Sequence, residues 1–137
     1  MKDCIFCKIA NGESPSMKVY EDEHTLAFMD IAGDVDGHLV VIPKKHCKNL
    51  LDCDPETAGY VTDTVKKVCR HLVDDCGYEG VDLLCANGEA AGQSVGHFHV
   101  HLIPRRSDDG LGADGAWPSF PGAKRKIGDV WREIAVE

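Results

Sequence analysis

Three of the chain's seven histidines, His97, His99 and His101, stand at strict two-residue spacing just ahead of Pro104. Phe98, Val100, Leu102 and Ile103, between and behind them, are apolar and favour β structure. The pattern predicts a strand that the proline ends. Residues two apart on a strand share a face, at about 3.3 Å rise per residue. The imidazoles then form one column spanning roughly 13 Å, while Phe98, Val100 and Leu102 turn the other way into a core. Three imidazoles on one face need metal, phosphate or solvent to compensate them. The column is therefore the expected site.

Two chemistries fit such a column. Three imidazoles plus water make an open catalytic zinc site. Alternatively, one imidazole attacks phosphorus as a nucleophile and its neighbours bind the phosphate. The segment in front of the histidines favours phosphate. Gly92 permits close backbone approach, Gln93 and Ser94 offer side-chain donors, and successive N–H groups in such a turn can cradle an anion.

A chain of 137 residues is long enough for one domain with a real core. The formal net charge of −8 argues against nucleic acid or an anionic membrane as the main partner. The one basic cluster, Lys124-Arg125-Lys126, reads as a solvated tail. No apolar h-region follows Met1 and no apolar run approaches about 18 residues, so a cytoplasmic protein is expected. Seven cysteines, an odd number without an export signal, argue against a disulfide framework. Cys47, Cys53, Cys69, Cys76 and Cys85 read as small packing residues. Cys4 and Cys7 differ, because their C-x-x-C spacing puts both on one face of a helical turn. By itself that pair is a redox motif, half a metal site or an accident.

The remaining pattern predicts α+β architecture with an antiparallel sheet. A short helix is expected over 4–10, a hairpin from Lys18–Glu21 and Thr25–Asp30 around Asp22-Glu23-His24, and a strand over His38–Pro43. Asp54-Pro55-Glu56 opens the one long helix. Val61, Val65, Val68, Cys69, Leu72 and Cys76 recur along it at helical steps, and Gly77 stands past its end. A strand is expected over Asp82–Ala86, then a loop of small residues into the histidine strand. From about 107 the chain is less regular, with a short helix over Ile127–Val136.

At this point four ordered motifs carry a resemblance. Gly92-Gln93-Ser94-Val95-Gly96-His97-Phe98-His99-Val100-His101-Leu102-Ile103-Pro104 resembles the signature of the histidine triad (HIT) family. Cys4-Ile5-Phe6-Cys7-Lys8-Ile9 resembles the family's opening motif, Leu26 to Ile31 its L-A-F-x-D-I, and Gly37 to His46 its G-H-x-L-V-I-P-K-x-H. The C-x-x-C is similar to that of the bacterial, Hint-like branch. The resemblance implies a single HIT domain over residues 1–137, with about five antiparallel strands, one long helix and short terminal helices. It implies a hydrolase or transferase acting at the α-phosphate of purine nucleotide conjugates of the phosphoramidate type, through a covalent nucleotidyl–histidine. A diadenosine polyphosphate hydrolase and a nucleotide-binding interaction module with incidental hydrolysis are the alternatives.

Carried over residue by residue, His99 is the nucleophile and His101 binds the phosphate oxygens. Ser94 assists the leaving group and Gln93 shapes the phosphate site. Asp30 holds the ribose, Phe6, Ile9, Phe28 and Ile31 form the base pocket, and Asn87 and Gly92 stand near the nucleotide. Alternatively Phe28 and Ile31 are plain core, Phe6 and Ile9 simply seat the N-terminal turn, and Asp30 caps a turn, while His38 reads as a satisfied structural histidine. The resemblance also implies structural zinc on Cys4, Cys7, His46 and His97, an AMP-like substrate and a homodimer. Many relatives carry Asn or Gln where this chain has Ala86, with Asn87 one place later, and Gly96 replaces a bulkier residue.

Overall fold

In the computed structural model, which describes residues 3–32, 34–111 and 123–135, five strands form one antiparallel sheet. They are β1 (Lys18–Glu21), β2 (Thr25–Met29), β3 (Leu39–Pro43), β4 (Gly80–Leu84) and β5 (Val100–Arg105), ordered β1-β2-β3-β5-β4. Helices α1 (Ile5–Ala10), α2 (Pro55–Asp74) and α3 (Ile127–Ile134) complete the described elements, with a 3₁₀ turn at Glu89–Ala91. The expected α+β fold is the one observed. No described helix is long and apolar enough to cross a membrane.

The β1–β2 hairpin closes where Asp22 stands. Its carboxylate accepts from the His24 and Thr25 N–H groups, the Thr25 hydroxyl and the Tyr20 hydroxyl at 2.8–3.0 Å. Helix α2 starts as its sequence dictates, with Asp54 accepting from the Thr57 N–H at 3.0 Å and Pro55 at the first position. Val61, Val65, Val68 and Leu72 are its buried stripe. Cys76 lies beyond the helix and is exposed. There Gly77, at φ +81°, turns the chain out toward β4.

Strands β2 and β3 are covered on both faces, which accounts for their nearly continuous apolar runs. Alternation sorts the side chains. Ala27, Leu39, Val41, Val100, Leu102 and Phe98 join the α2 stripe in the main core. Leu26, Phe28, Val40 and Ile42 face the other way, under Phe6, Ile9 and Ala10 of α1. A buried hydroxyl pair, Thr25 with Thr64 at 2.6 Å, links sheet and helix within the main core side.

The histidine strand differs from its expected span at both ends. Regular pairing begins at Val100, so His97 and His99 precede β5. The Phe98 N–H donates to the Cys47 carbonyl at 2.8 Å rather than into the ladder. Pro104 does not end the strand but lies inside β5, opposite Val81. Pairing with β3 has already stopped at Leu39–Leu102, so its missing N–H faces no ladder partner. Strand β4 runs two residues earlier than expected, its register on β5 extending from Gly80–Arg105 to Leu84–His101.

Candidate functional site

On the face opposite α2, a cavity of about 610 Å³ opens between α1, the end of β2 and the histidines. Its lining joins Phe6 and Ile9 of α1, Phe28 of β2, Asp30 and Ile31 beyond it, and Ser94, His99 and His101. The walls are mostly apolar, with a few polar groups converging at one side, as small-molecule sites generally are. Phe6 sets its edge against Phe28 at 5.5 Å and against the His99 ring at 5.2 Å. Ile31 is 88 % exposed and forms rim rather than core.

His99 is buried, and its Nδ1 lies 2.7 Å from the His97 carbonyl. A carbonyl only accepts, so Nδ1 carries the hydrogen and neutral Nε2 carries a lone pair. His101 stands beside it, ring centroids 4.8 Å apart. Burial, helped by His99 and His38, pushes the His101 pKa below the usual imidazole value.

His38, read in sequence as a structural histidine, is tied into this site. Its Nε2 is 2.9 Å from His101 Nδ1, and its Nδ1 donates to the Asp34 carboxylate at 2.8 Å. Asp34 gave no signal in the sequence, because its loop has no regular period and only the fold brings it under His38. Asp30 accepts from the Ala32 N–H through Oδ1 at 2.8 Å. Its Oδ2 lies 3.6 Å from His38 and 3.8 Å from His101.

Three other sequence-expected residues lie outside the cavity lining. Gln93 has its amide engaged within the protein, Oε1 accepting from Asn49 and Gly88 and Nε2 donating to the Lys48 and Val95 carbonyls. It braces the loop that carries Ser94. Asn87 accepts from the Leu50 N–H at 2.8 Å, and Gly92 forms the turn at φ +92°.

His97 points elsewhere, fully buried, with Nε2 on the Pro43 carbonyl at 2.8 Å. That bond leaves the hydrogen on Nε2 and the lone pair on Nδ1, and burial pushes its pKa down to about 4. Nδ1 faces Cys4 Sγ at 3.3 Å, Cys7 Sγ at 3.5 Å and His46 Nδ1 at 3.1 Å, and Cys7 Sγ lies 3.2 Å from His46 Nδ1. Four donors at these separations fit a tetrahedral ion whose bonds are about 2.0–2.3 Å. The Pro43 bond fixes the His97 tautomer as a second-shell acceptor does at a metal. Among the described residues no donor group unites His97, His99 and His101 on one ion.

The HIT domain family's sequence model matches residues 11–108. The chain is 38% identical over 133 residues to a Schizosaccharomyces pombe protein named adenosine 5'-monophosphoramidase, covering 96% of each. A solved structure of a HIT family member from Bacillus subtilis superposes with a TM-score of 0.81 at 41% identity, covering 96% of this chain and 92% of that one. A zinc-bound histidine triad family protein from Mycobacterium smegmatis gives 0.76 at 35% identity, covering 82% and 81%. A match spanning most of the chain, with the histidine strand inside it, makes this protein a member of the HIT domain family.

Proposed function

We propose that this HIT-family enzyme hydrolyses AMP-like nucleotide conjugates at the α-phosphate through a covalent nucleotidyl–His99. The observation that carries the reading is the His99 Nδ1–His97 carbonyl bond of 2.7 Å, which leaves Nε2 as the nucleophilic lone pair on a ring that lines the cavity. Nε2 bonds to phosphorus as the bond to the leaving group breaks, and the departing atom takes a proton. Ser94, exposed at the cavity mouth, assists that departure. His101, its Nδ1 engaged with His38, presents Nε2 to the phosphoryl oxygens and, protonated there, steadies their charge. Water then cleaves the phosphorus–nitrogen bond, releasing the nucleoside monophosphate and restoring His99. The base lies among Phe6, Ile9, Phe28 and Ile31, and Asp30 takes the ribose hydroxyls.

Cys4, Cys7, His46 and His97 hold a structural zinc ion in this reading. Such a closed four-ligand set contributes folding stability rather than an open position for chemistry. A homodimer belongs to the same proposal and is checked by light scattering.

The decisive experiment incubates wild type and His99→Ala with adenosine 5'-phosphoramidate. Wild type is expected to show AMP release and, by mass spectrometry after acid-free quenching, an adenylyl adduct on the 97–101 segment. Turnover surviving in His99→Ala overturns the mechanism.

A further inference from the structure

Asp30, His38 and His101 form a second cluster of donors, separate from the cysteine site. Asp30 Oδ2, His38 Nε2 and His101 Nδ1 stand 2.9, 3.6 and 3.8 Å apart. Cis ligands on an ion with bonds of about 2.1 Å lie roughly 3.0 Å apart in an octahedron and 3.4 Å in a tetrahedron. The observed triangle brackets those values. Two of the three side chains are also aimed. The Ala32 N–H holds Asp30 Oδ1, which turns Oδ2 toward both rings. The Asp34 carboxylate takes the His38 Nδ1 hydrogen, which leaves Nε2 as a lone pair. That carboxylate–histidine pair is the usual outer support of a metal-bound imidazole. Buried His38 forms the floor, while Asp30 and His101 reach the open cavity and leave further positions free.

We propose that Asp30, His38 and His101 bind a divalent first-row transition ion at the mouth of the phosphate side, in competition with nucleotide. Two imidazoles and one carboxylate without thiolate suit zinc, cobalt or nickel rather than magnesium or calcium. In the metal-free protein one hydrogen bridges His38 Nε2 and His101 Nδ1. The ion takes its place between the two lone pairs, and the displaced hydrogen moves to His101 Nε2. Competition rests on the proposed function, because Asp30 and His101 are the groups assigned there to ribose and phosphate. The ion is therefore an inhibitor of the site.

The test uses full-length protein already carrying one zinc equivalent, titrated with Co²⁺ by calorimetry and absorption spectroscopy. One further equivalent is expected, with visible d–d bands and no thiolate charge-transfer band. Asp34→Asn is expected to weaken it by about 10–100-fold, and His38→Ala to abolish it, with zinc content and the far-ultraviolet spectrum unchanged. AMP at ten times its Kd is expected to weaken apparent Co²⁺ affinity about tenfold. No further equivalent in wild type, or unaltered binding in both variants, overturns the site. Co²⁺ affinity that AMP leaves unchanged or strengthens overturns the competition. AMP binding to cobalt-free protein is measured alongside. Its failure overturns the nucleotide reading and the competition, while cobalt stoichiometry still decides the ion site.

Discussion

His97, His99 and His101 share a side chain and a spacing, yet each has a different atom engaged. His97 gives Nε2 to the Pro43 carbonyl, His99 gives Nδ1 to the His97 carbonyl, and His101 meets His38 through Nδ1. Those three bonds decide which lone pair faces which space. His101→Ala is expected to lower kcat by roughly 10²–10³, as loss of one charge-stabilising donor does, with a smaller change in KM in steady-state assays. Asp22 supplies a prediction away from the site. Burial raises its pKa, but hydrogen bonds from His24, Tyr20 and Thr25 outweigh burial and hold it below the usual aspartate value. A depressed carboxyl contributes stability above its unfolded pKa of about 3.9 and loses it as pH falls through the folded value. Asp22→Ala should therefore cost roughly 1 kcal/mol at neutral pH and flatten the acid fall of the urea midpoint below about pH 4.

Among the elements, α1 is the one least able to stand alone. It has six residues and buries none of them fully, whereas isolated helices need about 12–15 residues to be even marginal in water. Its cap is the Cys4 sulfur, which accepts from the Cys7 N–H at 3.4 Å. The same two sulfurs face His46 and His97, so the cysteine cluster and the Phe6 wall of the cavity share one turn. Without a cation, burial and neighbouring Cys4 push the Cys7 thiol up, and bound zinc would instead hold it as thiolate. Cys7→Ser, or chelation, is expected to lower Tm by more than about 5 °C and to raise nucleotide KM more than it lowers kcat. Calorimetry with metal analysis and steady-state kinetics check the two halves. Helix α2 is set by local chemistry instead, and Asp54→Ala should cost about 1 kcal/mol of unfolding free energy.

Across the whole molecule, the sheet separates two environments by the alternation of side chains. One face carries the α2 core and the other carries α1, the cavity and the imidazoles. The register Val40–His101 puts a catalytic candidate beside an apolar wall, and Leu39–Leu102 puts the adjoining pair into the core. Losing two methyl groups in the α2 core therefore tests stability with little effect on the site. Val65→Ala is expected to cost about 1–2 kcal/mol with kcat/KM per folded molecule unchanged, measured by urea unfolding beside the assay.

The sequence by itself determined what depends on neighbours along the chain. It fixed the cap and stripe of α2, the Asp22 turn, and the alternation that sends Phe98, Val100 and Leu102 one way and His99 and His101 the other. Those follow from backbone periods and local hydrogen bonds. Tertiary structure decided where pairing stops and which distant groups meet. Pro104 lies within β5 because β3 has already left it, and His97 falls outside β5 because the next residue, Phe98, gives its N–H to Cys47. Gln93 is committed to Asn49, Gly88, Lys48 and Val95. Asp34 reaches His38 and so His101, although no period marks its loop. Each of these depends on contacts between segments tens of residues apart or on an aperiodic turn, where local pattern carries no information about partners.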